Sequence, residues 1–151
     1  MICATARRHA GQAATALREA GQTVASVEAT SGGFLSAALQ SVPRASRYFT
    51  GGVCIYSAVA SKALLPRDVR KQLGTPEHNY ASGSNYVESK KTFTLALARH
   101  YHQKFGVDWV VAESGAAEAK GLPRRLQEAG AFTAVSVVGP DGPGADRPRK
   151  A

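Results

Sequence analysis

The feature that most constrains this chain is an alternation. Four short apolar, partly β-branched runs, at residues 23–27, 53–56, 107–112 and 132–138, are separated by segments whose apolar residues recur at helical spacing. Strands alternating with helices predict an α/β domain. Its sheet is expected to be largely parallel, with room for a mixed strand, and covered by helices on both faces as a three-layer α/β/α sandwich with right-handed crossovers. The helical stretches are 6–20, closed by Gly21, and 34–42, stopped because Pro43 disfavours helical geometry in the residue before it. A short helix opens at Pro66, carries Val69 and Leu73 and closes at Gly74; a long one runs over 85–105 to Gly106. A small-residue turn is expected between Tyr56 and Lys62, a polar loop over 75–84, and a Gly/Ala-rich turn with a segment around Leu126 before the last strand. From 140 to 151 the composition turns to Pro, Gly and charge, which predicts a mobile basic tail.

A chain of 151 residues suits a single domain spanning 1–151. That size buries about two thirds of the unfolded surface without help from disulfides or a structural metal. Cys3 and Cys54 are expected as free thiols in a reducing compartment, and two cysteines are too few for a zinc cluster. No stretch approaches the ~20 apolar residues of a membrane span, and the amino terminus lacks a secretory apolar core; both point to the cytosol and away from membranes. The net charge of +8, from 19 Lys and Arg against 11 Asp and Glu, invites a nucleic-acid reading. The basic residues fall as scattered pairs and a tail rather than one stripe, so a solvated basic surface explains them better.

In parallel sheets ligands bind beyond the carboxyl ends of the strands, and three polar, glycine-bearing or small-residue turns fall there: 30–33, 56–62 and 113–117. In Thr30-Ser31-Gly32-Gly33 the glycines let backbone N–H groups approach an anion or oxyanion, while the hydroxyls serve equally well as helix caps. Lys62 is a phosphate ligand or general base if desolvated, and ordinary solvated surface otherwise. Ser114-Gly115 places a hydroxyl after an apolar run, which an ordinary turn also explains. His100 and His102 are two apart and share no helix face, His9 and His78 have no evident partner, and Trp109 reads as core. Neither a metal nor a cofactor is expected.

Taken in order and at these separations, the motifs resemble the carboxy-terminal domain of the CinA (competence/damage-inducible) family, also called nicotinamide-nucleotide amidases. The resemblance runs over residues 10–139. It rests on Glu28-Ala-Thr-Ser-Gly-Gly33, Val42-Pro43, Phe49-Thr-Gly-Gly52, Tyr56-Ser57, Lys62-Ala-Leu-Leu65 and Ser114-Gly115-Ala116-Ala117-Glu118-Ala119. It implies a metal-free serine-lysine hydrolysis of the carboxamide of nicotinamide mononucleotide, giving nicotinic acid mononucleotide and ammonia. The chain departs from the pattern at the chemistry. Ala29 stands where the family has its nucleophilic serine, and Lys62 follows Tyr56 by six residues rather than five. The third turn carries Glu118 and Ala119 where the family ends in Gly-Pro.

Carried over, Ser31 or Thr30 is the substitute nucleophile, Lys62 the base, and Gly32 and Gly33 the oxyanion and phosphate seat. Tyr56, Ser57, Ser114 and Gly115 contact the nucleotide. The alternative, for which Ala29 argues, is a non-catalytic pyridine-nucleotide-binding or oligomerisation module. A homo-oligomer is expected in either case, and a basic nucleic-acid-binding domain is the third reading.

Overall fold

The computed structural model describes residues 2–116, 118, 122, 124–130 and 132–140. The alanine-rich helix α1 (Ala4–Ala20) ends where Gly21 adopts a φ of 63°, its N–H reaching Arg18 O while Gln22 N reaches Leu17 O. Only glycine enters that left-handed region cheaply, so the helix stops there. Strand β1 (Val24–Glu28) follows, buried along its whole length. Then come α2 (Phe34–Gln40), β2 (Phe49–Cys54), α3 (Ala58–Leu64), α4 (Arg67–Lys71), α5 (Pro76–Asn79), the long α6 (Gly83–Phe105) and β3 (Trp109–Ala116). Two 3-10 segments, Ala45–Arg47 and Arg124–Ala129, and β4 (Phe132–Val138) complete the described elements.

The strands lie in the order β2-β1-β3-β4. β1 runs parallel to both β2 and β3, and β4 pairs antiparallel with β3, so the expected α/β class holds with a mixed fourth strand. The period of two along each strand sorts residues onto two faces. On one, Val24 and Trp109 join a core with Ala14, Leu39 and Tyr48 beneath α1 and α2. On the other, Ala25, Val27, Val110 and Ala112 pack with Phe93, Leu97 and Tyr101 of α6 and with Leu65 and Val69. The three layers follow from these two cores. No helix among the described residues is long and apolar enough to cross a membrane.

Several boundaries differ from the sequence expectation. β2 begins at Phe49 and contains Gly51-Gly52, which the sequence places before a strand at 53–56; glycine is poor in strands, but here Gly52 lies against α2. A Cβ at Gly52 would overlap Ser36 Oγ and Ser26 Oγ. Cys54, expected inside an apolar run, ends β2 exposed, and both cysteines are free thiols. The expected turn between Tyr56 and Lys62 is helix α3, started by Ser57, whose Oγ accepts from Ala60 N at 3.1 Å.

The expected loop over 75–84 holds α5, capped by Thr75, and the first turn of α6, capped by Ser82. β3 runs to Ala116, so Glu113-Ser114-Gly115 is strand rather than turn, because pairing with β4 continues to Ala116 opposite Phe132. Residues Ala117 and Ala119 of that motif, and 141–151 of the expected tail, lie outside the described residues.

Gly52→Ala is expected to cost about 2 kcal/mol through overpacking, read as a lower urea midpoint at unchanged slope. An unchanged midpoint would show that α2 does not press on β2.

Candidate functional site

Val27 of β1 stands opposite Ala112 of β3. The next residues along the two strands are Glu28 and Glu113, which place two buried carboxyl groups on the α2 face at the carboxyl edge of the sheet. Glu28 Oε1 accepts from Ser36 N at 2.8 Å and Ser36 Oγ at 2.5 Å, and Oε2 from Leu35 N at 2.8 Å and Ser31 Oγ at 2.7 Å. The unpaired N–H groups at the start of α2 are thus answered by the chain's own carboxylate. Burial pushes the Glu28 carboxyl up, but the hydrogen bonds from Ser36, Ser31 and Leu35 outweigh it and hold it below the ordinary 4.5.

Glu113 Oε2 accepts from Ala29 N at 3.2 Å, Ser31 N at 2.9 Å and Ser31 Oγ at 2.8 Å. Its Oε1 is buried with no hydrogen-bond partner among the described residues. Ser31 therefore bridges two carboxyl groups with a single hydroxyl proton, which it gives to one at a time. Gly32 and Gly33, with φ of 62° and 96°, turn the chain so that this bridge and the start of α2 coincide. Ser31 and Glu113 also line an apolar groove of about 760 Å³ that includes Leu17 and Ala13 of α1 and Val135 and Val137 of β4.

A second cluster lies on the opposite, α6, face of the same sheet edge. Ser114, 1% exposed, accepts from Lys90 Nζ at 3.2 Å. Nζ also sits 5.5 Å from the centre of the Tyr86 ring, one helical turn earlier, which meets the ring of Phe132 edge-on at 5.8 Å. Burial lowers the Lys90 ammonium below its usual value, and Glu113 opposes that shift. Burial raises the Tyr86 phenol, aided by nearby Tyr80 and Tyr56. Thr30 Oγ1 accepts from Gly115 N at 2.7 Å, which ties the two clusters together across β1 and β3.

The structure therefore brings Thr30, Ser31, Gly32 and Gly33 to the end of β3, where Ser114 and Gly115 lie. The capping role weighed for Thr30 and Ser31 is not theirs: the residue preceding α2 is Gly33, and the N–H groups of the first turn are taken by the Glu28 side chain. Tyr56 is 81% exposed and near Tyr86. Ser57 is occupied in capping α3. Lys62 lies exposed on α3, without a hydrogen-bond or ion-pair partner among the described residues.

Sequence reasoning missed Glu28, Glu113 and Lys90. Each glutamate ends an apolar run that should be buried, which was the available signal. Lys90 sits three and four residues before buried Phe93 and Thr94, on the inward face of α6.

A family model described as the CinA C-terminal domain matches residues 6–127. A CinA-like protein of Prochlorococcus marinus strain MIT 9313 is 36% identical over 126 residues, covering 83% of this chain and 26% of that one. A CinA-like protein of Parasynechococcus marenigrum strain WH8102 is 35% identical over 126 residues, covering 83% of this chain and 27% of that one. The chain thus spans about a quarter of the length of these curated relatives. Among solved structures, the competence/damage inducible protein CihA of Agrobacterium tumefaciens superposes with a TM-score of 0.68 at 18% identity, covering 92% of this chain and 76% of that one. A CinA superfamily protein of Escherichia coli gives 0.62 at 13% identity, covering 90% and 80%. At such identities the structural likeness carries the fold alone.

Because the folded-state value of Glu28 is depressed, its stabilisation is present above pH 4.5 and is lost as pH falls through the lower folded value. Urea midpoints at pH 7, 5 and 3 should show Glu28→Gln less stable than the wild type at pH 7, by roughly 2 kcal/mol, with the gap closing toward pH 3. A gap that stays constant with pH would remove the charge from the account.

Proposed function

The chain belongs to the CinA C-terminal domain family, and from that premise we propose that it binds a nicotinamide nucleotide of the mononucleotide class at the carboxyl ends of β1 and β3, without attack on the carboxamide from the glycine turn. The observation that carries this reading is the bridge at Ser31, whose hydroxyl is held at 2.7 and 2.8 Å from two buried carboxyl groups. A nucleophilic hydroxyl needs a base of useful strength and a free line to the acyl carbon. Ser31 has instead a carboxylate held below the ordinary glutamate range, which makes Glu28 a weak base.

The other positions of the expected machinery are no better placed. Thr30 Oγ1 is engaged with Gly115 N, Ala29 has no hydroxyl, and Lys62 lies out on α3. Hydrolysis through Ser31 or Thr30 with Lys62 as base therefore requires the turn and α3 to rearrange.

What supports binding is the rest of the edge. Gly32 and Gly33 keep the backbone open, Gly115 adjoins them through Thr30, and Tyr56 and Tyr80 are exposed rings on which a pyridine can stack. Lys62 and the net charge of +8 offer cations to the phosphate. Self-association belongs to the same reading, since Val135 and Val137 of the outer strand are 59% and 55% exposed. A nucleic-acid partner would show itself by a steep loss of affinity with salt, whereas a pocketed mononucleotide depends on salt far less.

Calorimetric titration with nicotinamide mononucleotide is expected to show saturable binding that changes little between 50 and 200 mM salt, two conditions chosen about as far apart as a phosphate-tracking interface needs to reveal itself. Ser31→Ala should lower the melting temperature by roughly 5 °C, as a lost charged hydrogen bond does in a domain of this size, and leave any ammonia release at the wild-type rate. Ammonia release that disappears in Ser31→Ala would instead make Ser31 the nucleophile.

A further inference from the structure

The groove of about 760 Å³ beside α1 is an apolar space with one polar end. Its floor follows from the period of two along β3 and β4. Trp109, Val111 and Glu113 share a face, with Val137 across the ladder from Val111 and Val135 across from Glu113. Its wall is the α1 stripe Ala6, Ala10, Ala13 and Leu17, where three bare methyl groups cannot cover the floor. Val135 and Val137 are accordingly 59% and 55% exposed. Glu113, which closes the floor, is 5% exposed, and its Oε1 has no donor among the described residues. We propose that this groove binds a small arylalkyl primary amine, its ammonium donating to Glu113 Oε1 and its ring lying against Trp109 and Val111. This goes beyond nucleotide binding and does not rest on it.

The chemistry of the ligand follows from the lining. A buried acceptor without a donor is costly, and a ligand that brings one recovers that cost. Glu113 is an acceptor here, because its Oε2 already receives Ala29 N, Ser31 N and Ser31 Oγ. Ser31 divides one hydroxyl proton between Glu113 and the Glu28 carboxylate, so this end favours a cation over a phosphate or carboxylate. Lys90, which acts on Glu113 from the α6 side, is engaged with Ser114. The body of the ligand must be apolar. Trp109 gives its indole N–H to Gln22 Oε1 at 2.9 Å, so what it offers the groove is ring. The volume lies in the range of small-molecule sites. Contact between copies of the chain would cover the two valines and leave the carboxyl unanswered.

The groove carries its own reporter, since Trp109 is the single tryptophan of the chain. The probes are 2-phenylethylamine and, as an anion of similar shape, 3-phenylpropionate, each titrated against Trp109 emission. The expected result is a saturable change with the amine at millimolar concentration or below, and at least about 10-fold weaker binding of the carboxylate. Glu113→Gln should weaken the amine about 10-fold and narrow that preference. Ala13→Leu, at an exposed position and with a strong helix former, keeps the fold and fills the groove. It should abolish amine binding and leave the titration with nicotinamide mononucleotide unchanged.

Equal binding of amine and carboxylate to the wild type would overturn the proposal, as would amine binding untouched by both substitutions. The first comparison uses no variant, so it stands even where Glu113→Gln fails to fold. Emission that follows protein concentration and ignores the amine would give the groove to a second copy and likewise overturn the ligand. Failure of nicotinamide mononucleotide to bind alters none of these readouts, so the two proposals fail separately.

Discussion

The arrangement at the sheet edge depends on one buried carboxylate. Glu28 ends the central strand fully covered, and a charge there is tolerated only because Leu35 N, Ser36 N and the hydroxyls of Ser31 and Ser36 all donate to it. Those donors fix the start of α2 relative to β1, and Ser36, bonded in turn to Ser26, adds a second tie to the same strand. The contact is possible because Gly52 has no side chain. A single anion thereby sets where the helix begins, how the glycine turn is folded and which hydroxyl lies between the two carboxyl groups.

The sheet edge then divides its polar chemistry between two faces. Alternation along β3 sends Glu113 toward α2 and Ser114 toward α6, although they are neighbours in sequence. On the α2 face both oxygens of Glu28 and Oε2 of Glu113 accept from the turn and the start of α2, and the face behaves as a strut. The α6 face carries an amine, a hydroxyl and a set of phenols, with fewer internal partners. The separation is incomplete, since Glu113 acts electrostatically on Lys90 and Thr30 bonds across to Gly115. A change on one face is therefore felt on the other.

Much of this was legible in the sequence, and the failures have physical causes. The alternation of apolar runs and helical spacing located β1, β3, β4 and the two long helices and met β2 only at Val53 and Cys54, because burial dictates period. Gly51 and Gly52 were misplaced because propensity weighs against glycine in a strand, while the packing of Ser36 requires it there. Ser114 and Gly115 read as a turn because their extended state depends on pairing with β4, a contact between segments distant in sequence. Of the adjacent Lys90 and Lys91, one pairs with Glu88 at 3.6 Å on the surface and the other points inward to Ser114. Composition treats them alike, and only the phase of α6 tells them apart.

The outer strand β4 leaves Val135 and Val137 in solvent beside the groove, on a chain whose net charge is +8. Two copies meeting along that strand would be drawn by apolar surface and held off by like charge. The balance shifts with ionic strength, because at about 0.15 M the screening length is near 8 Å, shorter than the distance over which two such domains first sense each other. Salt, which would weaken a phosphate contact at the sheet edge, would at the same time ease such an encounter between copies.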